Sequence, residues 1–249
     1  ALGYGTGQGV SAGFPEAKVG KSASKEAKFD VTTVTHYSLF SITRKVIRQS
    51  KNKKGAILAA LARESELSLK AWKRELGVHL PKNGGGAIAV GDSSWTVAGS
   101  SITVSDINTI TNFEIDMLLQ FASTDGTSGS VRTGYVTVTG VNPDTGVITI
   151  AETANVAVPG VLNSDYIFRY GNFGAMVKGV DSYITSTSSP AALFGMTRTD
   201  SPQRKAGIRV SATNLLPREA AMKACKDVFV AGGKSTHYIV HPNDYLSLQ

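Results

Sequence analysis

The chain has 249 residues, 41% of them hydrophobic, and a formal net charge of +7. This length can bury a sizeable core as one large domain or two small ones. The single cysteine excludes an intrachain disulfide and a cysteine-based metal site, and no apolar run is long enough to predict a membrane-spanning helix. The Gly-rich start, residues 1–10, has no basic or apolar region of a secretory signal, so we expect none.

The charge is unevenly distributed along the chain. Residues 1–80 hold 14 basic and 6 acidic side chains, a net charge of +8. Residues 83–165 hold one basic side chain, Arg132, against 8 acidic ones, a net charge of −7, and residues 166–249 carry +5. This segregation predicts that different parts of the chain face different surroundings, with chance clustering on solvated faces as the alternative.

The N-terminal region, residues 1–50, is predicted to be an arm and an extended hairpin loop. Residues 1–28 are rich in Gly, Ser, Ala and Lys and contain too few large apolar residues to fold alone. Apolar and polar residues alternate over 29–42, which predicts a strand, and 19–28 would be the tip of the hairpin. We expect neighbouring subunits to order this region. The candidate interface anchors are Phe14, Phe29, Tyr37 and Phe40.

Residues 51–82 are predicted to contain a long helix, the clearest element in the sequence. Over 55–76 the leucines and Trp72 recur at helical spacing, Gly77 can end the helix and Pro81 prevents its continuation. A basic run precedes it, which indicates either contact with nucleic acid or an acidic neighbour, or simply a solvated helix start. The run consists of Arg44, Lys45, Arg48, Lys51, Lys53 and Lys54.

Residues 83–172 are predicted to form a compact β-rich unit. The unit follows the breaker Lys82-Asn-Gly-Gly-Gly86 and is rich in Thr, Val, Ile, Ser and Gly. Three segments read as strands, Asn142-Pro-Asp-Thr-Gly146 reads as a turn, and 123–130 reads as a polar loop that should accept insertions. The three segments are 114–122, 134–141 and 147–151.

Residues 173–249 are predicted to be mixed α+β. A helix should begin at Pro217 and end at Gly232-Gly233, followed by a short strand over 236–240 and a helix start over 243–248. The whole chain is therefore predicted to belong to the α+β class.

Motifs that could carry chemistry are few. Gly232-Gly-Lys-Ser235 lacks the first glycine of a phosphate-binding loop and follows a helix, so it predicts a helix end. His237 and His241 share one side of a strand and its exit but have no third ligand nearby, and Cys225 lies on an apolar helix face. We therefore expect no enzyme activity and no catalytic, cofactor-binding or metal-binding residue.

The order of these elements resembles the major capsid proteins of tailed bacteriophages, the Hong Kong 97-type capsid fold. The similar stretches include Asn214-Leu-Leu-Pro-Arg-Glu-Ala220 and Tyr238-Ile-Val-His-Pro-Asn-Asp-Tyr245, and Asn163-Ser-Asp-Tyr-Ile-Phe-Arg-Tyr-Gly171 resembles part of a β insertion in some phage coats. The resemblance implies an N-terminal arm, an extended hairpin loop, a spine helix in the peripheral domain, a β-rich insertion and an axial domain. It also implies a native chain that continues beyond Gln249.

The resemblance further implies a structural protein that assembles into hexamers and pentamers of an icosahedral or elongated capsid shell around phage DNA. Its partners would be copies of itself, packaged DNA bound non-specifically, and portal, scaffold or decoration proteins. It would have no cofactor and no membrane contact, and it would reside in the virion after assembly in the host cytoplasm. We expect the basic segment 44–54 on the inner side or at subunit junctions, and the acidic β unit on the outside.

Two alternatives from other classes remain open. One is a carbohydrate- or surface-binding phage or envelope protein that uses the 83–172 unit. It would require an aromatic cluster on one face, for which the candidates are Trp95, Tyr135, Tyr166, Phe168 and Tyr170. The other alternative is a hydrolase with an unrecognised site.

Overall fold

The computed structural model describes residues 2–5, 9–41, 54–184, 191–211 and 213–239. They belong to two compact units, one spanning Thr33–Val180 and one combining Ala1–Thr32 with Asp181–Gln249. The strands are β1 (Leu2–Gly5), β2 (Lys25–Ala27), β3 (Ala87–Val90), β4 (Ser101–Thr103), β5 (Leu118–Ala122), β6 (Val136–Asn142), β7 (Val147–Ile150) and β8 (Tyr166–Arg169). The helices are α1 (Phe14–Val19), α2 (Lys54–His79), a 3₁₀ helix (Ile107–Asn112), α3 (Ala154–Ala157), α4 (Val180–Tyr183), α5 (Pro202–Lys205) and α6 (Pro217–Val230). The predicted α+β class is confirmed at this level.

The long helix α2 is confirmed, but it ends later than its sequence predicts. Gly77 lies inside the helix, which continues to His79. The next residue still donates from its backbone, Leu80 N to Leu76 O at 2.9 Å, and the helix stops before Pro81, which has no N–H to continue the ladder. The proline, and not the glycine, therefore sets the end.

The six strands β3 to β8 form one antiparallel sheet in the order β3-β8-β5-β6-β7-β4. Its two outer strands also meet: Gly91 and Val104 form an antiparallel bridge at the ends of β3 and β4. Asp92 N donates to Thr103 O at 2.8 Å, and Ser105 N donates to Val90 O at 2.9 Å. The sheet thus closes into a small barrel without a free edge.

Apolar side chains that alternate with polar ones along the strands fill the interior of the barrel. In β6 Val136 and Val138 are buried and Thr137 between them is not, and in β7 Ile148 and Ile150 are buried while Thr149 is exposed. Trp95 belongs to the same core and donates from Nε1 to Asn163 O at 2.6 Å, so its one polar atom is satisfied. The strand residues with 0% exposure are Ile102, Leu119, Phe121, Ala122, Val136, Val138, Ile148, Ile167 and Phe168. The predicted strand over 114–122 begins later, at Leu118, because the chain turns at Asp116 with a φ of 67°.

The 123–130 loop packs more tightly than a polar insertion loop should. A Cβ on Gly126 would lie 1.9 Å from Gly85 O, so this pair of glycines lets two backbones touch. Asp125 fixes the loop further, since its Oδ2 accepts from Asn83 Nδ2 at 2.6 Å. We therefore expect tolerance to insertion only at the exposed end of the loop near Ser128.

The strand predicted over 29–42 is wrong for its described residues, 29–41, which have no regular structure. Alternation alone does not make a strand, because the backbone must also find a partner. The hydrogen bonds found between 33–41 and α2 come from a side chain: Ser38 Oγ lies 2.6 Å from Ser68 Oγ and donates to Ser68 O at 3.2 Å. The predicted hairpin also differs, since α1 interrupts it and β2 pairs with β1.

In the second unit, α6 confirms the helix predicted from Pro217 to the glycine pair. Gly232 has a φ of 82°, its N–H bonds to Phe229 O, and Gly233 N bonds to Val228 O, both at 2.9 Å. This is the Schellman arrangement of a helix C-terminus, which confirms Gly232-Gly-Lys-Ser235 as a helix end. The strand predicted over 236–240 is wrong for its described part, 236–239, which pairs with no strand of the described chain.

Buried cations organise the loops of this second unit. Arg198 is 2% exposed and donates to the carbonyls of Ala191 at 2.7 Å and Ser182 at 3.0 Å. Lys205 Nζ bonds both carboxylate oxygens of Asp200 at 2.8 Å. Because buried cations are tolerated only with such partners, these bonds fix the fold of the segment around them.

Arg132, the one cation of the acidic stretch 83–165, joins two loops of the barrel. Its Nε and Nη2 bond the two carboxylate oxygens of Asp165 at 2.5 and 2.8 Å, and Leu162 N also donates to this carboxylate. The Asp165 side chain is 2% exposed. The hydrogen bonds that Arg132 donates to the Asp165 carboxylate raise the pKa of the already cationic Arg132.

We predict that Arg132→Met lowers the free energy of unfolding of the barrel by about 3 kcal/mol, because it leaves the Asp165 carboxylate buried without its counter-charge. Urea unfolding followed by fluorescence in a Trp72→Phe background, where Trp95 is the only tryptophan, measures the change. The matched control is Asp144→Asn at an exposed turn, which should change stability by less than about 0.5 kcal/mol. Equal effects of the two variants would contradict the prediction.

Candidate functional site

A cluster of polar side chains lies where the end of α2 meets the barrel. Glu75, 13% exposed, accepts hydrogen bonds from Arg169 Nη1 and Asn172 Nδ2, which lie at and just beyond the end of β8. The preceding residue, Arg74, pairs with Glu114 and donates to Thr111 O. These contacts attach the helix to the barrel through charged hydrogen bonds in addition to apolar packing.

His79 is the most unusual member of the cluster. Its side chain is fully buried, both ring nitrogens lack a hydrogen-bond partner, and Nε2 is 3.9 Å from Glu75 Oε1, too far for a hydrogen bond. Burial first, and the charge of Lys82 second, lower the pKa of His79 to about 4, while Glu75 opposes the shift. At neutral pH this imidazole is therefore uncharged.

Two more basic groups surround the same position. Burial lowers the pKa of Lys82 to about 8, and its Nζ donates to Ala87 O at 2.5 Å. His36 approaches from the 33–41 segment, with its Nε2 buried and without a hydrogen-bond partner, and its charge would further disfavour protonation of His79. The cluster thus gathers several potential cations around one carboxylate, which Arg169 and Asn172 already engage.

A groove of about 260 Å³ adjoins the cluster, between α2, residues 36–39 and the end of β8. Its lining combines aromatic rings, hydroxyl groups and the Glu75 network. The lining residues are His36, Tyr37, Ser38, Leu39, Ser68, Ala71, Trp72, Glu75, Arg169, Tyr170 and Asn172. A smaller cleft on the other side of Glu75 is lined by Val78, His79 and Ile88 among others.

The sequence assigns no functional role to Glu75, His79, Lys82 or Arg169, and it singles out Tyr37 and Tyr170 only for other roles, as an interface anchor and an aromatic candidate. Lys82 belongs to the predicted chain breaker, Glu75 to the predicted helix 55–76, and His79 follows the predicted end of that helix. The i,i+4 pair Glu75 and His79 at the end of an amphipathic helix was the available signal. The burial of His79 depends on tertiary packing against the barrel and is not encoded in that spacing.

The predicted basic run lies mostly outside the described residues. Arg44, Lys45, Arg48, Lys51 and Lys53 are not described, and Lys54 is described only as the first residue of α2. Contact of this run with DNA or an acidic neighbour stays a prediction.

The four predicted interface anchors differ in exposure. Phe14 is 80% and Tyr37 82% exposed, Phe40 is 46% exposed, and Phe29 is partly buried. They lie in both compact units and not in one continuous patch of a single unit. Phe14 and Tyr37 thus leave most of their surface, and Phe40 about half, available for contact with another molecule.

The five aromatic residues of the carbohydrate-binding alternative do not share an exposed face. Trp95 and Phe168 are buried, at 6% and 0% exposure, and Tyr166 is partly buried. Only Tyr135 and Tyr170 are exposed, and they contact each other edge to face with centroids 5.4 Å apart. These five candidates therefore do not form one exposed aromatic face, because two of them are buried.

Cys225 and the C-terminal histidines show no built site. Cys225 is half-buried on α6 beside the Tyr238 hydroxyl, and this contact raises the pKa of Tyr238. His237 is exposed, and His241 lies outside the described residues. Among the residues that the structure describes, no group of three or more His, Cys, Asp or Glu side chains could hold a metal ion, and no helix of this part is long and apolar enough to cross a membrane.

Comparison with protein-family models, with curated proteins and with solved structures found no match to this chain.

We predict that His79 makes stability fall in weak acid. Its pKa is about 4 in the folded protein and ordinarily 6.5, so the neutral form is favoured on folding and the stabilisation is complete above pH 6.5. It is lost as the pH falls from 6.5 to 4, by at most about 3 kcal/mol. Urea unfolding at several pH values measures it.

The His79→Leu variant should lose this part of the pH dependence, whereas wild type and the control His237→Leu, at an exposed site, should keep it. The comparison between variants removes the contribution of the carboxylates, which all three proteins share. Parallel curves for wild type and His79→Leu would show that His79 is not the responsible group.

Proposed function

We propose that this chain is the shell-forming major capsid protein of a tailed bacteriophage and functions by assembly with copies of itself. The observation that carries the proposal is the N-terminal segment 9–41, in which no residue is buried. Exposed apolar side chains recur along it. They are Val10, Phe14, Val19, Val31, Val34, Tyr37, Leu39 and Phe40, at 45% exposure or more. Apolar surface of this extent indicates contact with another protein surface.

The segment also lacks the means to order itself. The pairing of β1 with β2 gives a sheet of two strands, which is marginal in water without further packing. The helix α1 has six residues and no buried side chain. An arm that orders on a neighbouring subunit would recover the apolar burial that it does not achieve within its own chain.

The long helix supports the same proposal. Leu61, Leu67 and Leu69 are between 41% and 49% exposed, and Trp72 is 36% exposed, so most of the predicted apolar face is uncovered over these turns. Contact with the barrel is concentrated at the end of the helix, around Glu75 and Val78. In a shell, this uncovered face would pack against further protein.

The barrel fits the part of a peripheral insertion. Its closed sheet and complete core leave it independent of the arm, and its loops carry most of the acidic residues of 83–165. In the proposed shell of hexamers and pentamers, the acidic barrel would project outward. The basic segment 44–54 would face DNA or subunit junctions, with non-specific and salt-sensitive contacts. Portal, scaffold or decoration proteins would be further partners.

The deletion of residues 1–28 should leave a folded core that makes no shells. The core should persist because the barrel has its own apolar interior, and assembly should fail because the arm anchors are lost. Size-exclusion chromatography and electron microscopy detect the particles, and emission of the buried Trp95 reports the fold.

The matched pair for this test is Tyr37→Ser with Phe40→Ser against Val156→Ser, since Val156 is 76% exposed on the barrel. The first variant should reduce particle yield, and the second should not. Normal particles from the deletion, or an absence of particles from the full-length protein under all assembly conditions, would refute the proposal.

A further inference from the structure

The groove beside Glu75 has aromatic walls. Trp72 is 36% exposed, Tyr37 82% and Tyr170 53%. Tyr170 is held from behind by Tyr135, whose ring meets it at 82°. Exposed aromatic rings that are fixed in orientation offer flat apolar faces with polar edges, which suits ligands that have both apolar C–H faces and polar groups.

The polar side of the groove retains unused hydrogen-bonding capacity. Among the described residues, Arg169 gives a hydrogen bond to Glu75 through Nη1, which leaves its Nε and Nη2 groups without a protein acceptor. Asn172 uses its Nδ2 on Glu75 and has no donor at its Oδ1. Ser38 and Ser68 add two hydroxyl groups. The groove thus offers hydrogen-bond donors and acceptors side by side, and those of Arg169 and Asn172 lie on planar groups.

The charge and size of the groove narrow the ligand class. The formal charges of Glu75 and Arg169 cancel each other in their ion pair, so the groove does not select a strongly charged ligand. Its volume of about 260 Å³ lies near the lower end of ligand pockets, which span roughly 300–1,000 Å³. A small, neutral molecule rich in hydroxyl groups fits both limits.

We propose that this groove binds a neutral saccharide of one or two rings. A ring face would stack on Tyr170 or Trp72, while neighbouring hydroxyl groups would accept from Arg169 and donate to Asn172 and Glu75. This site differs from the aromatic cluster that the sequence predicted, because Trp72 and Tyr37 come from outside the 83–172 unit. All lining residues belong to one compact unit, so the groove exists in the single subunit, and the proposal requires that assembly leave it open although Tyr37 is also a proposed interface anchor.

Tryptophan fluorescence tests the proposal on the full chain. The chain has two tryptophans: Trp72 lines the groove, and Trp95 is buried in the barrel as an internal reference. The probes are the neutral disaccharides maltose, cellobiose and di-N-acetylchitobiose, with digalacturonate as the anionic comparison. At least one neutral disaccharide should change the Trp72 emission with saturation and leave a Trp72→Phe variant unchanged.

Variants then locate the site. Tyr170→Ala should weaken binding by about tenfold, corresponding to the loss of one stacked ring, about 1.4 kcal/mol. Asn172→Ser should also weaken it by removing an amide. The control Tyr183→Ala, an exposed tyrosine outside the groove, should leave affinity within about twofold, or about 0.4 kcal/mol.

Three outcomes would overturn the proposal. The first is that no neutral disaccharide changes Trp72 emission at about 10 mM, a concentration at which even binding with a free energy weaker than about −4 kcal/mol would be detected. The second is that digalacturonate binds more tightly than every neutral probe, which would assign an anionic ligand to the groove. The third is that iodide fails to quench Trp72 in assembled particles. If Trp72 is then as protected as the buried Trp95, a neighbouring subunit occupies the groove. The first two results can occur whether or not the chain forms shells, and the third applies only to assembled particles.

Discussion

The hydrogen bonds between the ends of β3 and β4 remove the two free edges that an open six-stranded sheet would have. A free edge offers unpaired N–H and C=O groups to any other chain, and barrels avoid this by closure. Here the closing contacts are few, the Gly91–Val104 bridge and the two flanking bonds from Asp92 and Ser105. They allow a short-stranded sheet to enclose a complete apolar interior. The acidic loops of the barrel can then face solvent without any need for a partner strand.

The rest of the chain distributes its apolar surface in the opposite way. The barrel buries a complete apolar core, whereas 9–41 buries no residue and α2 leaves Leu61, Leu67 and Leu69 partly exposed. A chain with such a division has one part that is stable by itself and another part whose burial must come from elsewhere. That physical imbalance, more than any single motif, is the reason for proposing assembly as the function.

Local patterns predicted the elements whose causes are local. The apolar spacing of 55–76 gave a helix, and the alternation of 134–141 and 147–151 around a turn gave β6 and β7. The alternation pattern failed to predict structure where a strand depends on a partner far away in the sequence. Residues 29–41 alternate like a strand but have no partner strand in the described chain. Barrel closure was likewise not predicted, because Gly91 and Val104 meet only after six strands have been arranged.

The candidate site was missed for a related reason. Burial of His79, the lowered pKa of Lys82 and the groove beside Trp72 arise from α2 and the barrel packing together, and no spacing within either segment shows it. Even a correct helix and correct strands left open which residues of α2 would face β8. The aromatic prediction shows the same limit, since Phe168 and Tyr170 are two residues apart yet one is buried and the other half exposed.

The Glu75 network also connects the stability of the site with its chemistry. The Glu75 carboxylate accepts hydrogen bonds from Arg169 and Asn172. Its negative charge favours a higher pKa of His79, whereas the basic groups Lys82 and His36 lower that pKa. Because Arg169 and Asn172 are held by Glu75, their remaining donors and acceptors are fixed toward the groove. A hydrogen-bonding surface that is already oriented loses little freedom when a ligand binds. In the proposed binding site, the contacts that join helix to barrel would therefore also orient the groove for a ligand, and a change at Glu75 should disturb both together.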